Sequence, residues 1–255
     1  MSILPGEGKH LIVYGSLRLP SGTQMHEGYL ARPDVVGSFP TVLVAHDIFG
    51  LTSHERQVCR QLARHGLVAV AIDLYRGAGP PRRSTLEQAL ELYHRLPDGR
   101  ALADLHDAYE FITNEDIEST HKEGPGILGL DVGGRLALLY AADHAALQAI
   151  AVCYAPLSGE LTRYRTAQPL DVLADVRAPI LGLYGQDDDL ISGRDVTEAQ
   201  RKTPYGEWVL YEGVGHDFFN DTRPGYDEGA AEDALQRLVA FFTANLPTAE
   251  IVPVG

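Results

Sequence analysis

The chain has few cysteines, few basic residues and no long apolar run. Among its 255 residues only Cys59 and Cys153 are cysteines, which are too few for a disulfide framework and suit a reducing compartment. Lys and Arg number 21 against 35 Asp and Glu, and the net charge of −14 argues against nucleic acid or an anionic membrane as a partner. No apolar stretch approaches the ~20 residues that span a bilayer, and residues 1–6 lack the features of a signal peptide. We therefore expect a cytoplasmic protein.

The distribution of apolar residues predicts the fold class. Short apolar runs alternate with helical patterns from residue 41 almost to the end, which is typical of an α/β protein with a mainly parallel, twisted sheet of about eight strands flanked by helices. The expected strands are 10–15, 28–31, 41–45, 67–72, 125–128, 147–154, 179–184 and 208–211, of which the first two form an antiparallel edge pair. The expected helices are 53–64, 85–96, 100–113, 134–142 and 229–245. No linker or repeat divides residues 1–255, so we predict a single domain, and 156–178 is too short for a large lid.

One segment carries a catalytic pattern with an unusual central residue. Gly129-Leu130-Asp131-Val132-Gly133 follows an expected strand and precedes an expected helix. This is the G-x-Nu-x-G arrangement of a nucleophile elbow, a sharp strand-to-helix turn in which small residues permit a tight backbone and expose one side chain. Serine or cysteine usually occupies the central position and attacks acyl carbon. Here the residue is Asp131, so the chemistry depends on what a carboxylate can do at that turn.

Two later loops complete a constellation in the order nucleophile, acid, histidine. Gly185-Gln186-Asp187-Asp188-Asp189 follows one expected strand, and Gly213-Val214-Gly215-His216 follows the last one. A histidine base needs a carboxylate on its other ring nitrogen, which fixes the tautomer and stabilises the imidazolium. We expect His216 to be that base. The spacing favours Asp188 as its partner, with Asp187 second.

Backbone N–H groups are the expected donors to an oxyanion. The turn after the first core strand, His46 to Gly50, is where a sheet of this kind supplies one donor, and we assign it to Ile48. Val132, directly after Asp131, supplies the other. Because backbone donors are already in place when an oxyanion forms, such sites stabilise it strongly.

These segments together resemble the dienelactone hydrolase family over almost the whole chain. The resemblance rests on Gly28-Tyr29-Leu30-Ala31-Arg32-Pro33, His46-Asp47-Ile48-Phe49-Gly50-Leu51, Asp73-Leu74-Tyr75, the G-x-x-D loop and Gly215-His216. It implies an α/β-hydrolase fold without a large lid, and an enzyme without cofactor or metal that opens lactones and esters with a Cys-His-Asp triad. Asp188 and His216 take two of the triad positions, and Asp131 stands in place of the cysteine. Asp47 replaces the glutamate that contacts the nucleophile.

The resemblance also implies that arginine holds a carboxylate of the substrate. Arg76 is the first candidate, with Arg82 and Arg83 behind it. The alternative is a solvated basic loop on an acidic protein. Tyr75 and Tyr154 are further candidates, as groups that could polarise a substrate oxygen. We expect a small-molecule partner, with or without a carboxylate, and a monomer or small homo-oligomer.

Three functions are compatible with an aspartate at the elbow. The first is hydrolysis of small carboxylic esters or lactones with Asp131 as nucleophile or base. The second is attack on saturated carbon through an alkyl-aspartyl ester, as in haloalkane or haloacid dehalogenases and epoxide hydrolases. The third is a non-hydrolytic binding protein or a repurposed enzyme.

The elbow aspartate is also expected to share its pocket with Asp47. Two buried carboxylates cannot both ionise cheaply. We therefore predict that the pKa of Asp131 or of Asp47 lies at least about one unit above its ordinary value.

Overall fold

The structure, a computed structural model, describes residues 8–79, 85–114, 117 and 119–252. Its strands are β1 (Ile12–Ser21), β2 (Gln24–Pro33), β3 (Gly37–Ser38), β4 (Thr41–Ala45), β5 (Val68–Ile72), β6 (Gly126–Leu130), β7 (Ile150–Cys153), β8 (Ile180–Gly185), β9 (Glu207–Tyr211) and β10 (Glu250–Ile251). Its helices are α1 (Ser53–Arg64), α2 (Leu86–His94), α3 (Asp98–Asn114), α4 (Val132–Asp143), α5 (Pro169–Val172), α6 (Gly193–Lys202) and α7 (Glu228–Asn245), with a 3₁₀ turn at Leu173–Asp175. In this part of the chain no helix is both long and apolar enough to cross a membrane. Arg82 and Arg83 lie outside the described residues.

Eight strands form one sheet in the order β1-β2-β5-β4-β6-β7-β8-β9. Strands β4 to β9 run parallel, whereas β2 is antiparallel to both β1 and β5. Every residue of β4, β5 and β6 is buried, as expected for central parallel strands that helices cover on both faces. β3 and β10 pair in a separate small sheet. The expected α/β architecture with a mainly parallel sheet is confirmed.

Side-chain caps determine where the first two helices begin. Thr52 precedes α1, its Oγ1 accepts the N–H of His54 at 3.2 Å, and Glu55 Oε2 accepts the N–H of Thr52 at 2.8 Å. Such a capping box satisfies N–H groups that have no partner inside the helix. Thr85 and Gln88 form the same box before α2. Both helices therefore begin where a threonine is followed three residues later by Glu or Gln.

The structure extends some expected elements and adds several, of which α6 is the longest. β1 and β2 continue beyond the predicted edge pair up to a tight turn at Gly22, whose φ of +61° is one that glycine adopts without strain. α4 begins earlier than expected, at Val132. α6 was not predicted from the sequence, and its buried positions are only Val196 and Ala199, which is too short an apolar pattern to indicate a helix.

Among the described residues no inserted domain covers the loops at the carboxyl edge of the sheet. Between β7 and β8 the chain forms only α5, which has four residues, and the 3₁₀ turn. This segment is no large lid, as expected. In an open parallel sheet the carboxyl ends of the strands are where ligands bind, and the loops after β4, β6, β8 and β9 meet there.

Candidate active site

Asp131 stands at a sharp turn between β6 and α4. Its φ is +48°, a conformation that few residues other than glycine adopt. A side-chain carbon at Gly129 would lie 2.3 Å from the backbone of α4, and one at Gly133 would lie 2.3 Å from the His46 carbonyl oxygen, so both positions require glycine. The N–H of Asp131 donates to the Cys153 carbonyl at 3.0 Å. These contacts hold the side chain of Asp131 at the N-terminus of α4.

The carboxylate of Asp131 lies among the N–H groups that were expected to bind an oxyanion. The Ile48 N–H donates to Asp131 Oδ2 at 3.1 Å. Burial raises the pKa of Asp131 to about 6, while hydrogen bonds from the N–H groups of Ile48 and Val132 oppose that rise. Only 6% of Asp131 is exposed. The structure thus places the Ile48 N–H, one of the two expected donors, on the elbow side chain itself.

The turn after β4 is fixed by a histidine and a tyrosine. The Leu74 N–H donates to His46 Nε2 at 3.0 Å, so the proton of the neutral ring is on Nδ1, which donates to the Asp47 carbonyl at 2.6 Å. The Tyr75 hydroxyl donates to the Ile48 carbonyl at 2.9 Å. These bonds tie the turn to the segment after β5 and set the direction of the Ile48 N–H.

His216 is oriented by Asp188. The ring Nδ1 and Asp188 Oδ2 are 2.7 Å apart, and Asp188 Oδ1 accepts the N–H groups of Leu190 at 2.8 Å and Ile191 at 3.0 Å. Burial works to raise the pKa of Asp188, but the hydrogen bond and charge of His216 and the two N–H groups outweigh it, so this pKa lies below its ordinary value. Asp188, rather than Asp187, therefore carries the negative charge beside the histidine.

The acid loop and the histidine loop are joined through their backbones. The Asp187 N–H donates to the Val214 carbonyl at 2.9 Å. A side-chain carbon at Gly185 would lie 2.3 Å from the same carbonyl oxygen, so this close approach requires glycine. The glycine at the end of β8 thus determines how near the two catalytic candidates come.

The other ring nitrogen of His216 faces Asp131 without bonding to it. Nε2 is 3.9 Å from Asp131 Oδ1 and 3.7 Å from Asp217 Oδ1. Burial alone would lower the pKa of His216, but the hydrogen bond to Asp188 and the charges of the neighbouring aspartates raise it above its ordinary value. Both Nε2 distances exceed that of a hydrogen bond, so the Asp131 carboxylate and the histidine are separate groups in this structure.

Asp47 is buried beside the site and bonded to other groups. Its carboxylate accepts the Phe49 N–H at 2.7 Å and Asn220 Nδ2 at 3.0 Å. Burial, Glu55 and Asp131 raise the pKa of Asp47 well above its ordinary value. The pKa of Asp131 is raised as well, so the upward shift expected at one carboxyl group occurs at both. The resemblance to the family implied a contact of Asp47 with the nucleophile. The charges of Asp47 and Asp131 interact in the structure, and direct contact stays a prediction.

The raised pKa of Asp131 gives a testable pH dependence. If the ionised carboxylate is required, kcat/KM should rise with pH through about 6, and loss of the His216 proton should contribute to the same limb because the neutral ring acts as base. Burial is the main cause of the raised pKa of Asp131. The negative charge of Asp217 raises this pKa further and also raises the pKa of His216. Removing that negative charge makes both groups lose their protons more easily. The Asp217→Asn variant should therefore show its acidic limb at lower pH, and an unmoved limb would contradict this coupling.

The side chains predicted to bind substrate are engaged with protein groups. Arg76 Nε and Nη2 donate to the buried Asp104 at 3.0 and 2.5 Å. The Tyr75 hydroxyl donates to the Ile48 carbonyl in the turn after β4. Tyr154 is fully buried and packs edge-on against His216, with ring centroids 5.2 Å apart. Both tyrosines contact other residues of the site, and their contact with substrate stays a prediction.

Among the described residues no three His, Cys, Asp or Glu side chains are grouped to hold a metal ion.

The sequence analysis did not identify Arg135, which lies one helical turn after Asp131 on α4. Its guanidinium donates to the two oxygens of Asp98 at 2.7 and 2.8 Å and to the Ala167 carbonyl at 2.6 Å, and both charged side chains are buried. A cavity of about 100 Å³ lies beside this pair, bordered by Tyr93 and the loop after β7. The available signal was a single cation in an otherwise apolar helix.

The chain is similar to known proteins over nearly its whole length. Residues 26–246 match the dienelactone hydrolase family. The chain belongs to this family. A Yersinia pestis protein named as a carboxymethylenebutenolidase is 33% identical over 252 residues, which cover 96% of this chain and 93% of that protein. The resemblance inferred from the motifs is confirmed.

Further relatives include a lactonase by name and a solved structure. A Bradyrhizobium protein named as a 2-oxo-3-(5-oxofuran-2-ylidene)propanoate lactonase is 32% identical, and the match covers 86% of this chain and 89% of that protein. A structure described as a dienelactone hydrolase from Klebsiella pneumoniae subsp. pneumoniae MGH 78578 matches with a TM-score of 0.85 at 33% identity, covering 91% of this chain and 99% of that chain. The chain therefore has the α/β-hydrolase fold of its family, with Asp131 at the elbow.

Proposed function

We propose that this dienelactone hydrolase family member hydrolyses small carboxylic esters or lactones at a site formed by Asp131, His216 and Asp188. The observation that carries the proposal is their arrangement at the carboxyl edge of the sheet. A buried carboxylate on the elbow faces a histidine that is bonded to an acid, and a backbone N–H is directed at the same carboxylate. The names of two relatives, a carboxymethylenebutenolidase and a lactonase, support the same class of bond.

Asp131 is the proposed covalent nucleophile. Its carboxylate, which is ionised above about pH 6, bonds to a carbon of the substrate and gives an aspartyl intermediate. The alternative is a base that takes a proton from water. The position of Asp131 supports the nucleophile, because a fixed carboxylate at the strand-to-helix turn is where this fold presents its attacking atom.

His216 is the proposed base for the water that completes the reaction. Its Nε2 takes a proton from water, and Asp188, bonded to Nδ1, stabilises the imidazolium that forms. The hydroxide attacks the side-chain carbonyl carbon of Asp131. The negative charge then develops on the oxygen that the Ile48 N–H contacts, and this donor stabilises it without reorganisation.

Turnover of a panel of small esters and lactones tests this function. We expect the parent to hydrolyse members of the panel, and Asp131→Asn and His216→Gln to lose at least ~10³-fold in kcat/KM, since the members of such a triad act as a unit. Asp188→Asn should lose at least ~10²-fold, because the histidine then lacks its orienting charge. The matched control is Asp187→Asn, which removes a neighbouring acid that does not contact His216 and should keep nearly full activity. Absence of turnover across the panel would overturn the proposal.

Two other functions have distinct signatures in the same assays. Release of halide from haloalkanes or of diol from epoxides, without turnover of any ester or lactone, would identify an enzyme for saturated carbon alone. Tight binding of a small acid without any turnover would identify a binding protein or a repurposed enzyme. A substrate that bears a carboxylate stays a prediction, because Arg76 is paired with Asp104.

A further inference from the structure

One N–H group that would bind the oxyanion of a substrate already bonds to the carboxylate of Asp131. The Ile48 N–H lies 3.1 Å from Oδ2. The positive φ of Asp131 and its N–H bond to Cys153 fix the side chain at this point. A substrate carbonyl can therefore reach this donor only by displacing a buried, charged acceptor, whose hydrogen bonds are stronger than those of a neutral carbonyl.

Attack by a carboxylate on acyl carbon has a second disadvantage. The tetrahedral intermediate can expel either the attacking carboxylate or the alkoxide of the substrate. The carboxylate is much the weaker base, so it leaves first and the ester is regenerated. The oxyanion would also lack the Ile48 N–H, which already bonds to Asp131. Neither disadvantage applies at saturated carbon, where the substrate forms no tetrahedral intermediate.

We infer that Asp131 Oδ1 attacks a saturated carbon that bears a weakly basic leaving group, namely the alkyl carbon of a strained lactone, or equally a carbon that bears a halide. This inference rests on the proposed function and specifies the bond that breaks. The bond from Oδ1 to that carbon forms as the bond from the carbon to the ring oxygen breaks. The electron pair leaves with the ring oxygen as a carboxylate, and the configuration at the carbon inverts. The product is an alkyl ester of Asp131 whose carbonyl oxygen is Oδ2.

The same geometry suits the hydrolysis of this ester. His216 Nε2, 3.9 Å from Oδ1, takes a proton from water while hydroxide adds to Cγ of Asp131. The charge develops on Oδ2, which the Ile48 N–H already contacts. The bond from Cγ to Oδ1 then breaks, and the departing alkoxide takes the proton from His216. One water is consumed, the hydroxy acid is released, and the Asp131 carboxylate is restored with one oxygen from water.

The position of the oxygen taken from water tests the inference. The probe is enantiopure β-butyrolactone, hydrolysed by the parent in water enriched in ¹⁸O, with the spontaneous reaction subtracted. Attack by Asp131 on the alkyl carbon predicts inverted configuration in the 3-hydroxybutyrate. Over many turnovers ¹⁸O should enter the hydroxyl group, and in a single turnover with excess enzyme it should enter the peptide that contains Asp131. Attack at acyl carbon predicts retained configuration and ¹⁸O in the product carboxylate, and that result would overturn the inference while leaving the proposed function intact.

Trapping of the intermediate gives an independent arm. His216→Gln keeps a polar side chain but lacks the base, so this variant should accumulate an adduct on the Asp131 peptide equal in mass to one lactone. Asp131→Asn should give none. If no lactone or ester is turned over, the proposed function fails, and the inference is then decided by bromoethane. Bromide release with an ethyl adduct on Asp131 in His216→Gln would support attack on saturated carbon, and the absence of both would overturn it.

Discussion

Replacing Asp131 with cysteine is expected to raise the rate of hydrolysis of an activated ester at least ~10²-fold over the parent, since an oriented nucleophile with its base commonly contributes more than that. A thiolate attacks acyl carbon readily, and the leaving group of an activated ester is a weaker base than the thiolate, so the intermediate expels it. In the variant Asp188 still bonds to His216 Nδ1 and favours the protonated ring, and an imidazolium next to a thiol lowers the thiol pKa. The measurement is kcat/KM for a chromogenic acetate ester.

The expected gain has a second structural cause. In the parent the Ile48 N–H bonds to Asp131 Oδ2. A cysteine side chain has no oxygen at this position, so the donor becomes available to the carbonyl oxygen of the substrate, which is where oxyanion stabilisation is usually largest. The same substitution should also move ¹⁸O from the hydroxyl group to the carboxylate of hydrolysed β-butyrolactone, because attack shifts from alkyl to acyl carbon.

Two variants control for a nonspecific thiol effect. Asp131→Cys combined with His216→Ala should lose the gain, because the thiol then has no base. Asp131→Asn, which also alters the carboxylate, should not acquire it. A folded Asp131→Cys variant without ester turnover would show that the pocket or the N–H donors have diverged as well, and the third function, a binding protein or repurposed enzyme, would then be favoured.

Much of the fold could be predicted from the sequence because the parallel core is simple in pattern. β4 and α1 have the predicted bounds, since one is a continuous apolar run and the other begins at a capping box. β1 and β2 were predicted too short because their side chains alternate between exposed and buried, a pattern that depends on pairing partners rather than on apolar runs. The sequence did not predict α6 because few of its residues are buried, which leaves only a short apolar pattern.

The site could be predicted as a set of positions but not as a set of contacts. Gly129 and Gly133 around Asp131, and Gly185 beside the histidine loop, mark the site because backbone approaches there exclude a side-chain carbon. No sequence pattern shows that Asp131 Oδ2 accepts the hydrogen bond of the Ile48 N–H, since that bond depends on the side-chain rotamer at the elbow. Nor does spacing show that Arg76, in the loop after β5, is paired with Asp104 on α3. Contacts between distant segments depend on tertiary packing, and they decide which chemistry the elbow can support.

The largest expected effect on stability comes from the ion pair of Arg135 and Asp98. Both side chains are buried, two hydrogen bonds of 2.7 and 2.8 Å join them, and Asp98 also accepts the Thr166 N–H at 3.1 Å. Asp98→Ala leaves the guanidinium as an uncompensated buried charge, which costs about 3–5 kcal/mol of unfolding free energy. For a chain of this size each kcal/mol lowers Tm by roughly 2–4 °C. We therefore expect a drop in Tm of roughly 6–20 °C, measured by calorimetry at neutral pH.

Two comparisons separate loss of the buried pair from the general effect of removing an acid. Glu91→Ala removes the partner of Arg95 in an exposed pair on α2 and should change stability by less than about 1 kcal/mol. Asp98→Ala combined with Arg135→Met removes both buried charges and should recover much of the loss, because a buried pair can be replaced by apolar groups at little cost. Arg135 lies one turn beyond Asp131 and also holds the Ala167 carbonyl, so the double variant should fold yet turn over substrate more slowly than the parent. A decrease in Tm for Asp98→Ala no larger than that for Glu91→Ala would show that the guanidinium finds water or another acceptor, and that the pair does not hold α4 in place.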